Sequence, residues 1–273
     1  MTPAEQRKRF IASVQAQIRR RGLQRDDGVL RVLGTLIELQ ARTRASLEAL
    51  PSEFDAARLP GFLTEIDGHV AKWRDRALGV MDTVLEQAFE LGPQMVDAPL
   101  KAAGISVRLP MIPESLLEEV KDYTAKRITG VSELARTRIG DHVRLTVLGG
   151  KSPHEAMKAI GEEVDGPGPF RYVSFRAETI TRTEMGNLHS AAGQRRLEAA
   201  AEVVPGMKKQ WLWSGKGRAM HASITGQIRE VKEAFEMPDG AKLQHPRDPA
   251  GGVEHVANCG CESVPYMEHW GKQ

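Results

Sequence analysis

Two cysteines one residue apart, Cys259 and Cys261, are the only cysteines in the sequence and offer its clearest chemistry. A disulfide between them would close a very small, strained ring, so we expect both to be thiols. Three histidines lie upstream of them, His221, His245 and His255. Because thiolates and neutral imidazoles are the usual ligands of structural zinc, the pattern predicts a zinc site formed by both cysteines, His221 and one of the other two histidines.

The cysteine pair also has a plainer interpretation. Cysteine is among the most buried residue types, so the two side chains equally fit small reduced thiols on a buried strand. A single C-x-C motif is a weaker metal signal than two C-x-x-C motifs, and the chain has no second cysteine pair. The sequence alone therefore leaves two interpretations of the cysteine pair: ligands of a structural zinc ion, or reduced structural thiols.

One glutamate, Glu184, falls on the apolar face of a helix predicted from about residue 170 to residue 201. Burying a carboxylate without a partner costs several kcal/mol, so we expect a cation or a hydrogen-bond donor nearby. The natural partners in the C-terminal part are Arg218 and His221. We predict that an ion pair between Glu184 and Arg218 clamps this helix to the C-terminal part, a structural role rather than a catalytic one. The apolar face itself consists of Val173, Ala177, Ile180, Leu188 and Ala191.

The first predicted helix is amphipathic and strongly basic. Its basic residues are Arg7, Lys8, Arg9, Arg19, Arg20 and Arg21. A basic amphipathic helix can contact DNA, an acidic protein surface or anionic lipid. We therefore predict that this segment binds nucleic acid or an acidic partner, and the alternative is a charged face that is only solvated.

Several short pieces in the second half of the sequence follow a recognisable order. They are Arg182-Thr183-Glu184, Lys209, Trp211 or Trp213, Arg218, His221, Gly226-Gln227, Asn258-Cys259 and Cys261. In this order and spacing, residues 111–266 resemble the phage Mu F-like family, the minor head or head morphogenesis proteins of tailed bacteriophages. Two features depart from that family. Gly215-Lys216-Gly217 stands where members often carry an acidic residue, and Gly260 stands where they often carry an arginine between the cysteines.

The resemblance implies a minor capsid protein, present in few copies and built into the procapsid near the portal. Such a protein would contact the portal, capsid or scaffold protein, would support head assembly or the handling of packaged DNA, and could contact that DNA. Its location would be the virion, inside the phage head, after synthesis in the cytoplasm of the host bacterium. The resemblance implies neither a small-molecule substrate nor an enzymatic activity.

A metal-dependent hydrolase or nuclease is the alternative interpretation, with Glu184 as the base and the histidines and cysteines as ligands. Zinc deaminases do combine such ligands with a glutamate base. Their H-x-E and P-C-x-x-C signatures are absent from the sequence, and four or five ligands suit a closed structural site. We therefore expect no enzyme. A third interpretation, a plain nucleic-acid-binding module, rests on the basic helix and on tryptophans that could stack on bases.

Composition narrows the class of protein further. The chain has 273 residues, of which 41% are hydrophobic and 5% aromatic, and a net charge of +2. Its length allows two compact units, its composition favours mostly helix, and its low net charge argues against a wholesale nucleic-acid binder. The sequence has neither the apolar core of a signal peptide nor a membrane-spanning run. We expect a soluble protein with reduced cysteines, made in the cytoplasm.

Periodicity and chain breakers locate the helices that must position these residues. Thr2 and Glu5 predict a capping box for a helix that ends at about Arg21. A second helix is predicted over residues 27–50, and a near-heptad apolar stripe over residues 63–91 predicts a third. Prolines punctuate residues 93–113, and further helices are predicted before Gly149-Gly150, after a second capping box at Ser152, and over residues 170–201.

The residue pattern changes from helical to strand-like after Gly206. A strand at 209–213, a short helix at 218–223 and a final strand at about 256–264 predict a small antiparallel sheet that brings Cys259 and Cys261 beside His221. The predicted fold class is mainly α with a small α+β C-terminal unit, in which a helical bundle is followed by long helices and a small antiparallel sheet. Four consecutive domains are predicted: an N-terminal bundle with the basic first helix (1–98), a linker (99–113), a helical part (114–205) and the small α+β unit with the zinc site (206–273).

Overall fold

The computed structural model describes residues 1–51, 56–150, 152–215 and 218–267. The chain is mainly helical, at 69%, with a small antiparallel sheet near its C-terminus, which confirms the predicted fold class. The long helices are α1 (Pro3–Glu48), α2 (Leu59–Ala102), α3 (Ser115–Leu148) and α5 (Phe170–Ala201), and the short ones are α4 (Pro153–Ile160), α6 (Ala219–Ser223) and α7 (Val253–Val256). Across the described residues, no helix is long and apolar enough to cross a membrane.

Helix α1 is continuous where the sequence predicted two helices. Its first turn has the predicted capping box, in which the N–H of Thr2 donates to the Glu5 carboxylate at 2.8 Å and the N–H of Glu5 donates to the Thr2 hydroxyl at 3.3 Å. The predicted break between Arg21 and Asp27 was wrong. A glycine inside a helix costs only about 1 kcal/mol relative to alanine, and this stretch contains glycine but no proline, so buried packing on both sides maintains the helix.

Helix α2 also extends further than its apolar stripe predicted, because it passes through Pro93 and Pro99 before it ends. Proline removes a helical hydrogen bond and is usually a break. Here Met95, Val96 and Leu100 lie buried in one core cluster, and this tertiary packing outweighs the local penalty. The first part of the predicted linker is therefore helical, while the chain from 105 to 113 has neither helix nor strand.

Helices α3, α4 and α5 follow the predictions closely. Helix α3 ends before the glycine pair, α4 begins with the predicted capping box, and α5 has the predicted bounds. In that box the Ser152 hydroxyl accepts from the N–H of Glu155 at 3.3 Å and the Glu155 carboxylate accepts from the N–H of Ser152 at 2.8 Å. Local start and stop signals were sufficient for these three helices.

The sheet consists of three strands, with β1 (Met207–Leu212) between β2 (Ile228–Glu230) and β5 (Glu262–Met267). Both pairings are antiparallel, and Trp211 is opposite Ser263. The predicted final strand began too early, because α7 and a loop occupy its first half. Cys259 therefore lies in that loop, and Cys261 immediately precedes β5. A separate hairpin pairs β3 (Phe235–Glu236) with β4 (Lys242–Leu243).

The chain forms two compact units, each discontinuous in sequence. Unit 1 comprises residues 1–27, 84–120 and 182–273, and unit 2 comprises residues 28–83 and 121–181. The four domains predicted from the sequence were consecutive segments, and that division stays a prediction about which segments fold separately. Within unit 2, the indole N–H of Trp73 donates to the Thr35 hydroxyl at 3.0 Å. Unit 1 contains the sheet and the candidate metal centre described below.

Two glycines of α2 provide a matched test of packing. A Cβ at Gly92 would lie 2.5 Å from the Cβ of Ala192 and 2.9 Å from the carbonyl oxygen of His189, whereas a Cβ at Gly79 would meet nothing within 4 Å. We expect Gly92→Ala to lower the free energy of unfolding by about 1 to 3 kcal/mol through overpacking. Gly79→Ala should raise it by up to about 1 kcal/mol through helix propensity. Urea denaturation measures both, and equal effects would contradict the close approach of α2 to α5 at Gly92.

Candidate metal centre

Three buried side chains converge on one point in unit 1. Helix α6 carries His221, the loop after α7 carries Cys259, and Cys261 directly precedes β5. The Nδ1 atom of His221 lies 3.5 Å from the Sγ of Cys259 and 3.7 Å from the Sγ of Cys261. All three donor atoms lie within 4.8 Å of one another, and the exposed fractions of the three residues are between 1% and 5%.

These distances match the shape of a tetrahedral metal site. Zinc–sulfur and zinc–nitrogen bonds of about 2.3 and 2.0 Å place neighbouring ligand atoms about 3.5 Å apart in a tetrahedron. Two thiolates and one imidazole form a soft donor set of the kind that zinc and other thiophilic ions prefer. The group formed by His221, Cys259 and Cys261 can therefore hold a metal ion, with a fourth position of the tetrahedron beyond these three ligands.

Aromatic side chains enclose the imidazole of His221. The ring of Trp211 meets it edge-on, with centroids 5.5 Å apart and an interplanar angle of 84°, and Phe235 packs on the other side of Trp211. The sequence left open whether Trp211 or Trp213 was the relevant tryptophan. Trp211 is fully buried here, and Trp213 is 36% exposed.

The two thiols differ in their acidity. A hydrogen bond from the Cys261 thiol lowers the pKa of Cys259, and the positive charge of Arg247 lowers it further. The same hydrogen bond, together with burial, raises the pKa of Cys261. Of the two side chains, Cys259 is therefore the one whose surroundings favour the thiolate.

The backbone at the centre is unusual at two residues. Asn258 has φ of 53° and Arg247 has φ of 68°, and they are the only residues other than glycine with positive φ in the described part of the chain. Asparagine tolerates this conformation better than most residues. The N–H of Asn258 donates to the Thr183 hydroxyl at 3.2 Å, which ties the cysteine loop to α5.

The other two predicted histidine ligands lie outside this group. The Nδ1 atom of His255 is 3.0 Å from the Nε2 of His221, so His255 stands behind the ligand rather than beside the sulfurs. The ring Nδ1 of His245 is 3.0 Å from the carbonyl oxygen of Pro246. Of the five residues predicted from the sequence, the described part of the chain brings His221, Cys259 and Cys261 together as ligands.

A buried group of charges lies next to the cysteine loop. The carboxylate of Glu262 forms an ion pair with Arg21 and lies 3.8 Å from the guanidinium of Arg247. Arg247 also donates to the carbonyl oxygen of Cys259 and, at 2.7 Å, to the Ser190 hydroxyl, while Arg21 donates to the same hydroxyl at 3.2 Å. Burial lowers the pKa of both arginines, and for Arg21 the neighbouring positive charge of Arg247 adds to the effect.

The sequence pattern singled out neither Arg247 nor Glu262, and it predicted that Arg21 lies on a binding surface. Arg21 is only 7% exposed, so it is part of the interior. Of the other basic residues of α1, Lys8, Arg9, Arg19 and Arg20 are exposed and Arg7 is half-buried. Arg21 is the last residue of an otherwise exposed basic run, and composition does not show which residue of such a run is buried. The sequence pattern therefore could not distinguish Arg21 from its exposed neighbours.

The pair predicted between Glu184 and Arg218 is a separate case. Glu184 is buried, with 1% exposed, as its helical position indicated. Arg218 donates to the carbonyl oxygen of Ala257 at 3.0 Å, which links the start of α6 to the cysteine loop. The ion pair between Glu184 and Arg218 stays a prediction.

The buried side chain of Lys209 should make the free energy of unfolding depend on pH. Its ammonium group is buried, donates to the carbonyl oxygen of Gln244 at 2.7 Å, and has a pKa that desolvation lowers to about 8. An unfolded lysine has a pKa of about 10.4. Below pH 8 both states carry the charge and the folded state bears the cost of burying it. Above that value the folded state loses its proton first, so the free energy of unfolding should rise, by about 1 to 3 kcal/mol up to pH 10.4.

Urea denaturation of the wild type and of Lys209→Met at pH 7, 8, 9 and 10 measures this rise. The variant has no titrating group at residue 209, and its other groups are the same, so the difference between the two curves isolates the lysine. A difference that stays constant over this range would show that Lys209 keeps its ordinary pKa.

Compared with models of known protein families, with curated proteins and with solved structures, the chain matches none of them.

Proposed function

We propose that this chain is a minor capsid protein of a tailed bacteriophage, and that a structural zinc ion at His221, Cys259 and Cys261 stabilises its C-terminal part. In this proposal the protein is built into the procapsid near the portal, inside the head. Its partners are the portal, capsid or scaffold protein, and the exposed basic residues of α1 are candidate contacts for DNA. The protein has a structural role and is not an enzyme.

The observation that carries the proposal is that the sequence pieces behind the family resemblance meet in space. Thr183 accepts a hydrogen bond from Asn258, 75 residues further on. His221 lies between Trp211 and the two cysteines. Pieces that are scattered in the sequence thus build one buried cluster. Such a cluster explains why these residue types would recur together in a family defined by its fold rather than by an activity.

Gly226-Gln227 joins Trp211 through backbone hydrogen bonds. The N–H of Trp211 donates to the carbonyl of Gln227 at 3.0 Å, and the N–H of Gly226 donates to the carbonyl of Trp211 at 2.8 Å. Gly226 has φ of 84°, a conformation that glycine adopts without strain. Trp211 and Gly226-Gln227 are therefore joined through the backbone, which supports a structural role for this part of the pattern.

Zinc is the metal that best suits this donor set. It accepts mixed thiolate and imidazole ligands in a tetrahedron and has no redox chemistry of its own. When bound, it would link α6 to the loop before β5, which the hydrogen bond from Arg218 to the carbonyl oxygen of Ala257 already connects. A structural site of this kind contributes directly to the folding free energy.

A metal-dependent hydrolase or nuclease is the second candidate, and one observation favours it. Three protein ligands plus an open position are typical of catalytic zinc, and three described ligands converge here. The burial of all three argues for the structural role. Nuclease or deaminase activity of the purified protein that Glu184→Gln abolishes would reverse this ranking.

Quantitative mass spectrometry of purified phage particles tests the proposed function. Empty procapsids and DNA-filled heads are prepared from the phage or prophage that encodes this chain, and copy numbers are normalised to the major shell protein. We expect a few to a few dozen copies per particle in both, and crosslinks to the portal protein. Absence from both kinds of particle would overturn the minor capsid proposal.

A further inference from the structure

A carboxylate and a second imidazole line up behind the His221 ligand. The Nε2 atom of His221 is 3.0 Å from the Nδ1 of His255, and the Nε2 of His255 is 2.9 Å from the Oδ2 of Asp239. Asp239, His255 and His221 thus form a chain of hydrogen bonds that ends at the sulfur atoms of Cys259 and Cys261. We propose that Asp239 and His255 are positioning residues for the metal site, because they fix the tautomer of His221 that leaves its Nδ1 lone pair facing the metal position.

The direction of the chain follows from its first member. A carboxylate only accepts hydrogen bonds, so the Nε2 of His255 must carry the proton that Asp239 accepts. A neutral imidazole with its proton on Nε2 has a lone pair on Nδ1, and this lone pair faces His221. The Nε2 of His221 therefore carries a proton in turn. Its Nδ1 is left without one and points at Cys259 and Cys261.

Both oxygens of Asp239 are held in place. Its Oδ1 accepts from the N–H of Ala241 at 3.1 Å, while its Oδ2 faces His255. These hydrogen bonds, first the one from Ala241 and then the one from His255, lower the pKa of Asp239, so the carboxylate stays ionised. The aspartate is thus a permanent acceptor at the outer end of the chain.

The β3–β4 hairpin explains how Asp239 reaches this position. Its strands contain only two residues each, and the N–H of Met237 donates to the carbonyl of Ala241 at 2.9 Å to close the loop. Gly240, with φ of 89°, allows the turn directly after the aspartate. The hairpin therefore holds Asp239 at the partly exposed end of this chain of hydrogen bonds, while His255 and His221 are buried.

The consequence for metal binding is a preformed donor. Metal-ligating histidines commonly donate their other ring N–H to an outer-shell acceptor, and loss of such a partner costs roughly 10- to 100-fold in metal affinity. Here the acceptor is a second histidine, so the effect of Asp239 has to pass through two imidazoles. The inference rests on the proposed zinc site and adds residues that the sequence pattern assigned no such role.

Asp239→Asn is the decisive variant, because the structure predicts which way the new amide turns. The N–H of Ala241 requires an oxygen at the Oδ1 position, so the amide NH₂ would face His255. It would donate to the Nε2 of His255 and reverse the chain, which places a proton on the Nδ1 of His221. We expect the Kd for Zn²⁺ to rise roughly 10- to 100-fold. Competition with a chromophoric chelator at pH 7.5 measures it, and the absorption of bound Co²⁺ reports the ligand geometry.

Two further variants separate the proton chain from a general loss of structure. Glu254→Gln removes one negative charge beside His255 from an exposed position, and it should leave the Kd unchanged. Asp239→Ala removes the acceptor without supplying a donor, so it should weaken Zn²⁺ binding less than Asp239→Asn does. Circular dichroism at the same temperature checks that each variant is folded.

The outcomes distinguish this inference from the proposed zinc site. Failure of the wild type to bind Zn²⁺ overturns the zinc site itself and the inference with it. Tight binding by the wild type, with Asp239→Asn equal to Glu254→Gln, overturns only the role of Asp239 and His255. A loss in Asp239→Ala that exceeds the loss in Asp239→Asn would show that the carboxylate acts by packing or charge rather than by fixing the tautomer.

Discussion

Replacing Cys261 by serine should remove stoichiometric zinc from the protein. The serine hydroxyl is not ionised at neutral pH and is a poor ligand for zinc, so the Kd should rise by more than the roughly 100-fold typical of outer-shell losses. Structural zinc in small domains contributes about 10 to 16 kcal/mol of apparent binding free energy. The hydrophobic core of unit 1 contributes stability of its own, so we expect a loss of several kcal/mol rather than complete unfolding.

Elemental analysis after dialysis and thermal denaturation with and without a chelator measure these two effects. His245→Asn is the matched control. It changes a buried histidine whose Nδ1 atom faces the carbonyl oxygen of Pro246 and that lies outside the group of His221, Cys259 and Cys261. It should keep its zinc. A wild-type protein that contains no zinc and that a chelator does not destabilise would refute the site, and zinc retained by Cys261→Ser would refute the ligand assignment.

Neutralising Glu262 should have the second large effect. Its carboxylate pairs with both buried guanidinium groups, Arg21 and Arg247. Removing one partner of a buried ion pair typically costs about 3 to 5 kcal/mol, because a charge is left buried without compensation. Glu262→Gln keeps the shape of the side chain, so its cost should fall within that range and should reflect charge rather than volume.

A surface pair provides the comparison for Glu262. Glu38 forms an ion pair with Arg76 at 2.6 Å, and both side chains are about half exposed. Glu38→Gln should cost no more than about 1 kcal/mol, as is usual for exposed pairs. Adding Arg21→Met to Glu262→Gln should recover part of the loss, because it removes one of the two stranded charges. Equal losses for the two glutamine variants in urea denaturation would show that the Glu262 cluster is solvated.

The residues of the candidate metal site were predictable only in part. Residue type singled out Cys259, Cys261 and His221, and the antiparallel pairing of the last strand with the tryptophan strand was also predicted. The choice between His245 and His255 depended on the path of the polar loop between them, and the described structure places neither in the group of His221, Cys259 and Cys261. Asp239 was not predictable, because a two-residue hairpin leaves no periodic pattern and an aspartate in a turn usually serves the turn itself.

The helices show the same contrast between local and tertiary control. Capping boxes at Thr2 and Ser152 located two helix starts within a residue, because the signal lies within four positions of the chain. The continuity of α1 past Arg21 and of α2 past Pro93 depends on side chains packed from other parts of the sequence. Tertiary packing of this kind overrides helix propensities of about 1 kcal/mol for glycine and about 3 kcal/mol for proline, and a single sequence does not display it.

The division of unit 1 among three chain segments sets an order of events during synthesis. All residues of unit 2 precede Arg182, so they emerge from the ribosome before the last segment of unit 1 begins. The partner of Arg21, Ser190, is 169 residues further along the chain. At 5 to 20 residues per second, its synthesis follows that of Arg21 by about 8 to 34 seconds. Glu262 arrives later still. A nascent chain halted before that residue would contain all of unit 2, while Arg21 and Arg247 would lack the Glu262 carboxylate, so the completion of unit 1 is tied to the synthesis of this residue.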